Sequence, residues 1–246
     1  MEVIVIDGSS LDRTAQASEK FGANVITVSP QLERCTKKNL AAAKAKGEFI
    51  YFVDSDFELS SNVIERCVKA CNDGADAVIV PERSVGNEGF WASCRQLEIL
   101  TCEGDDYIEA PRFFRRQTFF ESKGFDEHLI FGEEDDLNLR IRALGCKVAR
   151  IKAPLFHHEG PLKQVFLRKY YYGQTMSLYL KKQRSNAVAQ FNPFRPGWIK
   201  NKHLIMKDPT HATGMFIERA IQSIMAGLGL VASLTSEKKL PQKQRY

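Results

Sequence analysis

No two cysteines in this chain are spaced as CxxC, although there are six of them: Cys35, Cys67, Cys71, Cys94, Cys102 and Cys146. That spacing excludes a zinc ribbon and a thioredoxin-type motif, and so few cysteines in 246 residues do not make a disulfide-dense secreted scaffold. Internal repeats and low-complexity segments are missing as well. No uncharged apolar run reaches the length that spans a bilayer. Residue 2 is acidic and a strand-like run follows at once, so no secretory leader is expected. The expectation is an intracellular, reduced protein. Acidic side chains are scarce in one place: Gly160 to Tyr246 holds 3 of them against 15 Lys/Arg, while the remainder is net acidic. An acidic body with a basic tail points to a metal-holding or acid-handling domain joined to a part that meets anions.

Hydrophobic residues make up 43% of the chain and charged residues 26%, enough for a packed core. Val3-Ile4-Val5-Ile6 reads as a buried parallel strand that runs into the loop Asp7-Gly8-Ser9-Ser10. Asp12 is placed to cap a helix from Arg13 to about Phe21, ended by Gly22. Strands follow at Val25–Val28, Phe49–Val53 and Ala77–Val80, with helices at Lys37–Lys46 and Val63–Cys71 between them. Strands alternating with helices in this way imply parallel βαβ units. Beyond Pro81 helices are expected at Phe90–Leu100 and Leu137–Leu144, and short strands at Phe113–Phe114 and Val148–Ile151. Leu137, Ile141 and Leu144 fall on one helical face and should be buried together. After Gly160 the chain reads as helical and basic, loops through Pro193, Pro196 and Pro209, and closes with a helix from Gly214 to Leu234 and a polar tail.

Four features carry possible chemistry. Asp54-Ser55-Asp56 follows a strand of buried type, and residues i and i+2 at a strand end point the same way. Two neighbouring carboxylates call for a counter-charge, which a divalent ion supplies; two solvated acids are the plainer reading. Asp7, with small neighbours such as Ser9, suits either a nucleobase contact or an ordinary strand-to-helix turn. Glu133-Glu134-Asp135-Asp136 after Gly132 begins a helix, where the dipole favours acids, yet four in a row exceed what a cap needs. Mutual repulsion would raise some of their pKa values, as a general base requires. His157-His158-Glu159-Gly160 offers an imidazole for a metal or is a surface loop.

In this order the motifs resemble the family-2 inverting glycosyltransferases of the GT-A fold, over roughly residues 2 to 160. Val3 to Thr14 is similar to the family's first signature, Lys38-Asn39 to its Arg-Asn, Asp54-Ser55-Asp56 to its DxD, and Gly132 to Leu137 to its Gly-Glu-Asp-x-Asp-Leu. Glu134 stands where the family has Asp. Met1 stands immediately before what resembles the family's second strand, which leaves three readings: a sheet that lacks the first strand, a misplaced start, or a truncated and weakened enzyme.

The resemblance implies an α/β fold: a GT-A, Rossmann-like nucleotide-sugar-binding sheet flanked by helices over residues 1–160, with a basic helical extension over 161–246. It implies transfer of a sugar, with inversion, from a nucleoside-diphosphate sugar to an acceptor hydroxyl, using Mg2+ or Mn2+. Asp56, Asp54 and His157 (less so His158) would hold the metal. Asp7, Ser9, Lys38 and Asp54 would meet the nucleotide. Glu134 would be the base, or Glu133 if the register is shifted by one. Arg112 and Arg115 lie near the expected acceptor side. A degenerate, non-catalytic nucleotide-sugar-binding module is the alternative. A haloacid-dehalogenase-like phosphatase is disfavoured, because Glu58 stands where its motif wants Thr or Val. Basic residues interleaved with Phe166, Tyr170, Tyr171, Tyr172 and Tyr179 suit an anionic membrane. The expected acceptor is thus a glycan or lipid-linked group at the inner face of the cell membrane. Nucleic acid is not expected, since the acidic body would repel it.

Overall fold

The β-branched run forms β1 (Ile4–Asp7), which pairs in parallel with β2 (Asn24–Thr27) across α1 (Thr14–Lys20). This is a computed structural model that describes residues 1–85, 89–158, 160–190 and 195–235; Glu159, Pro193 and the polar tail lie outside them. Asp12 accepts the Thr14 N–H and hydroxyl one residue ahead of the helix N-cap, Arg13. Its part is therefore an Asx turn rather than the cap itself. The strand expected to be buried is only half-buried except at Asp7, because β1 and β2 pair with no other strand among the described residues.

Next come α2 (Arg34–Lys44), β3 (Phe49–Tyr51), β4 (Phe57–Leu59), α3 (Val63–Asn72), β5 (Ala77–Ile79), β6 (Glu82–Val85) and α4 (Phe90–Cys102). They are followed by β7 (Phe113–Arg115), α5 (Arg116–Glu121), α6 (Glu133–Ala143), β8 (Val148–Arg150) and β9 (Leu155–His158). The central sheet has the order β3-β7-β5-β8. It is mixed: β7 runs antiparallel to both neighbours, β5 and β8 are parallel, and β3 and β5 on either side of β7 run the same way.

Side chains alternate across this sheet, as a two-residue period requires. Phe114 and Ala77 face α2, α5 and α6, where they join Cys35, Ala42, Phe119, Leu137 and Ile141. Phe113 and Val78 face α3, where they join Val63, Cys67 and Cys71. The result is a sheet with helices on both faces. Leu144 does not complete the α6 stripe and is 55% exposed. The helix has ended at Ala143, and left-handed Gly145 turns the chain away before Leu144 reaches the core. A second sheet, β4-β9-β6, had no counterpart in the sequence reading.

The C-terminal part is helical: α7 (Leu162–Lys182), α8 (Arg184–Gln190), α9 (Pro196–Lys200), α10 (Lys202–Lys207) and α11 (Pro209–Thr235). Pro196 and Pro209 open helices instead of lying in loops, since proline's missing N–H costs nothing in a first turn. By starting at Pro209, α11 becomes long and apolar enough, by length and composition, to cross a membrane. The expectation concerned uncharged runs only, and this helix is interrupted by the Glu218-Arg219 pair.

Two glycines let α11 and α7 touch backbone to backbone. A Cβ on Gly173 would stand 2.0 Å from the Ala226 carbonyl oxygen, and one on Gly229 2.0 Å from that of Tyr170. Gly229→Val is therefore expected to lower the thermal midpoint, with overpacking costing about 1–3 kcal/mol, or roughly 2–4 °C per kcal/mol at this size. Gly227, where an added Cβ meets nothing within 4 Å, supplies the control. Gly227→Ala should leave the midpoint unchanged or raise it, and an equal fall in both variants would contradict the close crossing.

Candidate active site

At the carboxyl ends of β3 and β5 lies a cleft of about 550 Å³, walled also by the first turn of α6, by β9 and by α7. Ligands of open α/β sheets bind at this edge. The residues after β3 bring Asp54 and Asp56, the start of β6 brings Glu82, β9 brings His157, and α7 brings Arg168 and Tyr172.

Two cations organise these acids. Lys38 Nζ lies 2.9 Å from Glu134 and 3.3 Å from Asp54. The Arg112 guanidinium reaches Asp54 at 3.1 Å, Glu134 at 3.3 Å and Glu82 at 2.9 Å. Arg112 also lies over the Phe57 ring, 4.6 Å from its centroid. Burial alone would lower the pKa of both cations, but Glu134 and Asp54 beside them raise it.

The four consecutive acids divide the work. Glu133 is buried and paired with Arg34, which lies nearly a hundred residues away in the chain. Burial raises its pKa against the pull of Arg34. Asp136, fully buried, is held by Arg140 at 2.9 Å, Lys182 at 2.9 Å and the Gln183 amide at 2.7 Å. Asp135 accepts the Gln190 side-chain amide, and burial pushes its carboxyl up to about 7. Only Glu134 meets both cleft cations. Burial would raise it too, but Arg112 and Lys38 prevail and hold it well below the usual carboxylate range. The turn itself needs Gly132: its φ is 75°, and a Cβ would stand 2.5 Å from the Tyr179 ring.

The donor set for a divalent ion is partly assembled. Asp56 Oδ2 and His157 Nε2 are 3.3 Å apart, and two ligands at right angles on an ion ~2.1 Å away stand roughly 3 Å apart. That hydrogen bond holds the Asp56 carboxyl below its ordinary value. Asp54 is turned to Lys38 and Arg112 instead, and among the described residues no three potential ligands converge. An oxygen-rich pair with one imidazole fits Mg2+ or Mn2+.

Other expected residues lie elsewhere. Asp7 is buried, with its carboxylate on the Ser10 N–H and hydroxyl, and the Ser9 hydroxyl donates to the Val28 carbonyl at 2.8 Å; neither lines the cleft. His158 is exposed, 3.4 Å from Glu58. Arg115 donates to the Cys71 and Ala75 carbonyls and pairs with Glu48 at 3.2 Å, a structural role. Sequence reasoning missed Arg34, Glu82 and Arg168. Glu82 had a usable signal: like Asp54, it is an acid just beyond a buried strand.

The sequence model of the family described as Glycosyl transferase family 2 matches residues 1–131, more than half of the chain. The O-antigen chain rhamnosyltransferase WbaN of Salmonella anatum is 25% identical over 168 residues, 60% of this chain and 53% of that protein. The poly(ribitol-phosphate) β-N-acetylglucosaminyltransferase TarS of Staphylococcus aureus is 29% identical over 94 residues, 36% of this chain and 16% of TarS. The chain thus spans about half the length of the first relative and less of the second. Among solved structures, mannosyltransferase PcManGT from Pyrobaculum calidifontis, in complex with GDP-Man and Mn2+, aligns with a TM-score of 0.60 at 17% identity, over 96% of this chain and 79% of that one. Crystalline TarS aligns at 0.52 and 17% identity, over 94% and 49%. The shared fold is the GT-A type.

Asp135 generates a pH prediction. With a folded pKa near 7 against an ordinary 3.8, the folded state keeps a proton that the unfolded state has lost, so stability falls as pH rises from about 4 to 7. Asp135→Asn keeps an acceptor for Gln190 and removes the titration. Its thermal midpoint should exceed the parent's at pH 8 and match it near pH 4. A difference that does not change with pH would contradict the shifted carboxyl.

Proposed function

This chain belongs to glycosyl transferase family 2, and on that premise we propose that it moves a sugar from a nucleoside-diphosphate sugar to an acceptor hydroxyl, with inversion and with Mg2+ or Mn2+. Carrying this reading is the cleft in which Lys38 and Arg112 bridge Asp54 and Glu134 beside the Asp56–His157 pair. Residues 1–160 form the transferase unit, and the helical extension 161–246 closes the cleft through α7. The relatives named above act, by their names, on an O-antigen chain and a poly(ribitol phosphate), which supports a glycan or lipid-linked acceptor. The work is assigned to the inner face of the cell membrane.

Asp56 and His157, with Asp54, would hold the ion, which when bound neutralises charge on the departing diphosphate. Lys38 and Arg112 donate to diphosphate oxygens as the donor enters, and so loosen their hold on Glu134. The Glu134 carboxylate thereby regains proton affinity. It takes the proton of the acceptor hydroxyl, whose oxygen bonds to the anomeric carbon on the face opposite the diphosphate. The bond from that carbon to the diphosphate oxygen breaks, and its electron pair leaves with the nucleotide. Asp7 and Ser9 are assigned to the base end of the nucleotide, with Asp7 exchanging its Ser10 hydrogen bonds.

Calorimetry with a nucleoside diphosphate, with and without Mn2+, tests the metal assignment. Asp56→Ala should abolish the metal-dependent part of binding in a folded protein, since an exposed acid contributes little to stability. Metal-dependent affinity that survives the substitution would sink it. Glu134→Gln should lower turnover by at least ~10²-fold with donor binding kept or tightened, since the amide competes less for Lys38 and Arg112. Loss in Glu133→Gln instead would move the base by one residue, and loss in neither would leave the cluster as a helix cap.

A further inference from the structure

Helix α11 is amphipathic the wrong way round for a helix facing water. Its single acid and single arginine both turn toward the protein: Glu218 is 1% exposed and 3.5 Å from Arg95, and Arg219 meets Glu98 at 3.3 Å. On the outward side lie Phe216, Ile217, Ile224, Leu228, Val231 and Leu234, between 41% and 73% exposed. At about 100° per residue these six share a sector of roughly 120°, with no charge among them. A soluble surface helix carries its polar residues there.

Neighbouring helices continue the patch and give it a rim. Trp198 packs edge-on against Phe216 with ring centroids 5.0 Å apart, and Ile199 and Met206 nearby are 70% and 74% exposed. Lys200, Lys202 and Lys207 are exposed between and beside them. No Asp or Glu occurs from Gly160 to Lys207, and Lys238 and Lys239 follow α11 in the chain. Lysines thus flank the apolar stripe at both ends of the sequence. Gly160 to Tyr246 holds 15 Lys/Arg against 3 Asp/Glu, so a second copy docked through this face would set one strongly basic surface against another.

We propose that the outward stripe of α11 docks the protein on an anionic bilayer, lying in the plane of the interface. Acyl carbons would take the apolar side chains, and headgroup phosphates the flanking lysines. The long apolar helix does not cross the bilayer in this state, because its other side is committed to α7 and α4 through Gly173, Gly229 and the Arg95–Glu218 pair. α7, against which α11 packs, presents Arg168 and Tyr172 to the cleft. The cleft therefore lies beyond both α11 and α7, two helix layers or roughly 20 Å, from the membrane face, a distance that a lipid-linked acceptor would have to bridge. That last clause rests on the transfer reading; the docking does not.

The test is vesicle flotation of the full chain, with phosphatidylcholine alone and with a third of it replaced by phosphatidylglycerol, at low and high salt. Parent protein should float with the anionic vesicles at least ~10-fold better than with neutral ones, and salt should weaken this. The double variant Ile224→Ser/Leu228→Ser changes only exposed side chains. It should keep the thermal midpoint and metal-dependent nucleotide binding while losing most of the flotation. Equal recovery on both vesicle types, none on either, or full flotation of the folded double variant would overturn the proposal. So would a dimer in solution that the double variant breaks, which would assign the face to a second copy. Failure of nucleotide binding would count against the transfer reading alone.

Discussion

Two cations hold the candidate site together. Lys38 from α2 and Arg112 from the residue before β7 are shared among Asp54, Glu134 and Glu82, which come from three other parts of the chain. Without them the cleft would gather carboxylates at distances where mutual repulsion is severe. With them, the strand ends and the first turn of α6 are drawn to one point. The same pairing depresses Glu134, so the group best placed to take a proton has little affinity for one until an anion competes for its partners. A diphosphate is such an anion, so under the proposed function donor entry and activation of the base would follow from one contact set.

The surroundings of that contact explain why only one of four consecutive acids faces both Lys38 and Arg112. Glu133 is committed to Arg34, Asp136 to Arg140, Lys182 and Gln183, and Asp135 to Gln190. Three of these partners, Lys182, Gln183 and Gln190, come from the C-terminal extension. The extension is thus a structural wall of the site, and Tyr179 packed on left-handed Gly132 fixes the height at which α6 starts. On its far side the extension offers α11, whose charges face the protein and whose apolar residues face outward.

What was legible in the sequence follows local physics. The β-branched and aromatic runs located β1, β2, β3 and β5, and Gly22 and Gly145 marked helix ends. Asp54, Asp56 and Glu134 could be singled out because each sits at a strand end or helix start, where pattern and position coincide. Pairings across long separations were not legible. Nothing local says that Arg34 will meet Glu133, that Arg112 will bridge acids from three segments, or that β7 runs antiparallel between β3 and β5. The sheet β4-β9-β6 was missed because Phe57-Glu58-Leu59 and Leu155-Phe156-His157-His158 are too short and too polar to show a period. Leu144 was misplaced because periodicity counts residues and does not know where the helix stops. For α11, composition predicted an apolar helix but not that Glu218 would be the buried side.

A structure of the protein with a nucleoside diphosphate and Mn2+ tests the central claim most directly. The account predicts metal on Asp56 and His157, the diphosphate within hydrogen-bond distance of Lys38 or Arg112, and at least one of those cations withdrawn from Glu134. A nucleotide bound in another part of the protein, with the Lys38–Glu134 and Arg112–Glu134 pairs intact, would contradict it.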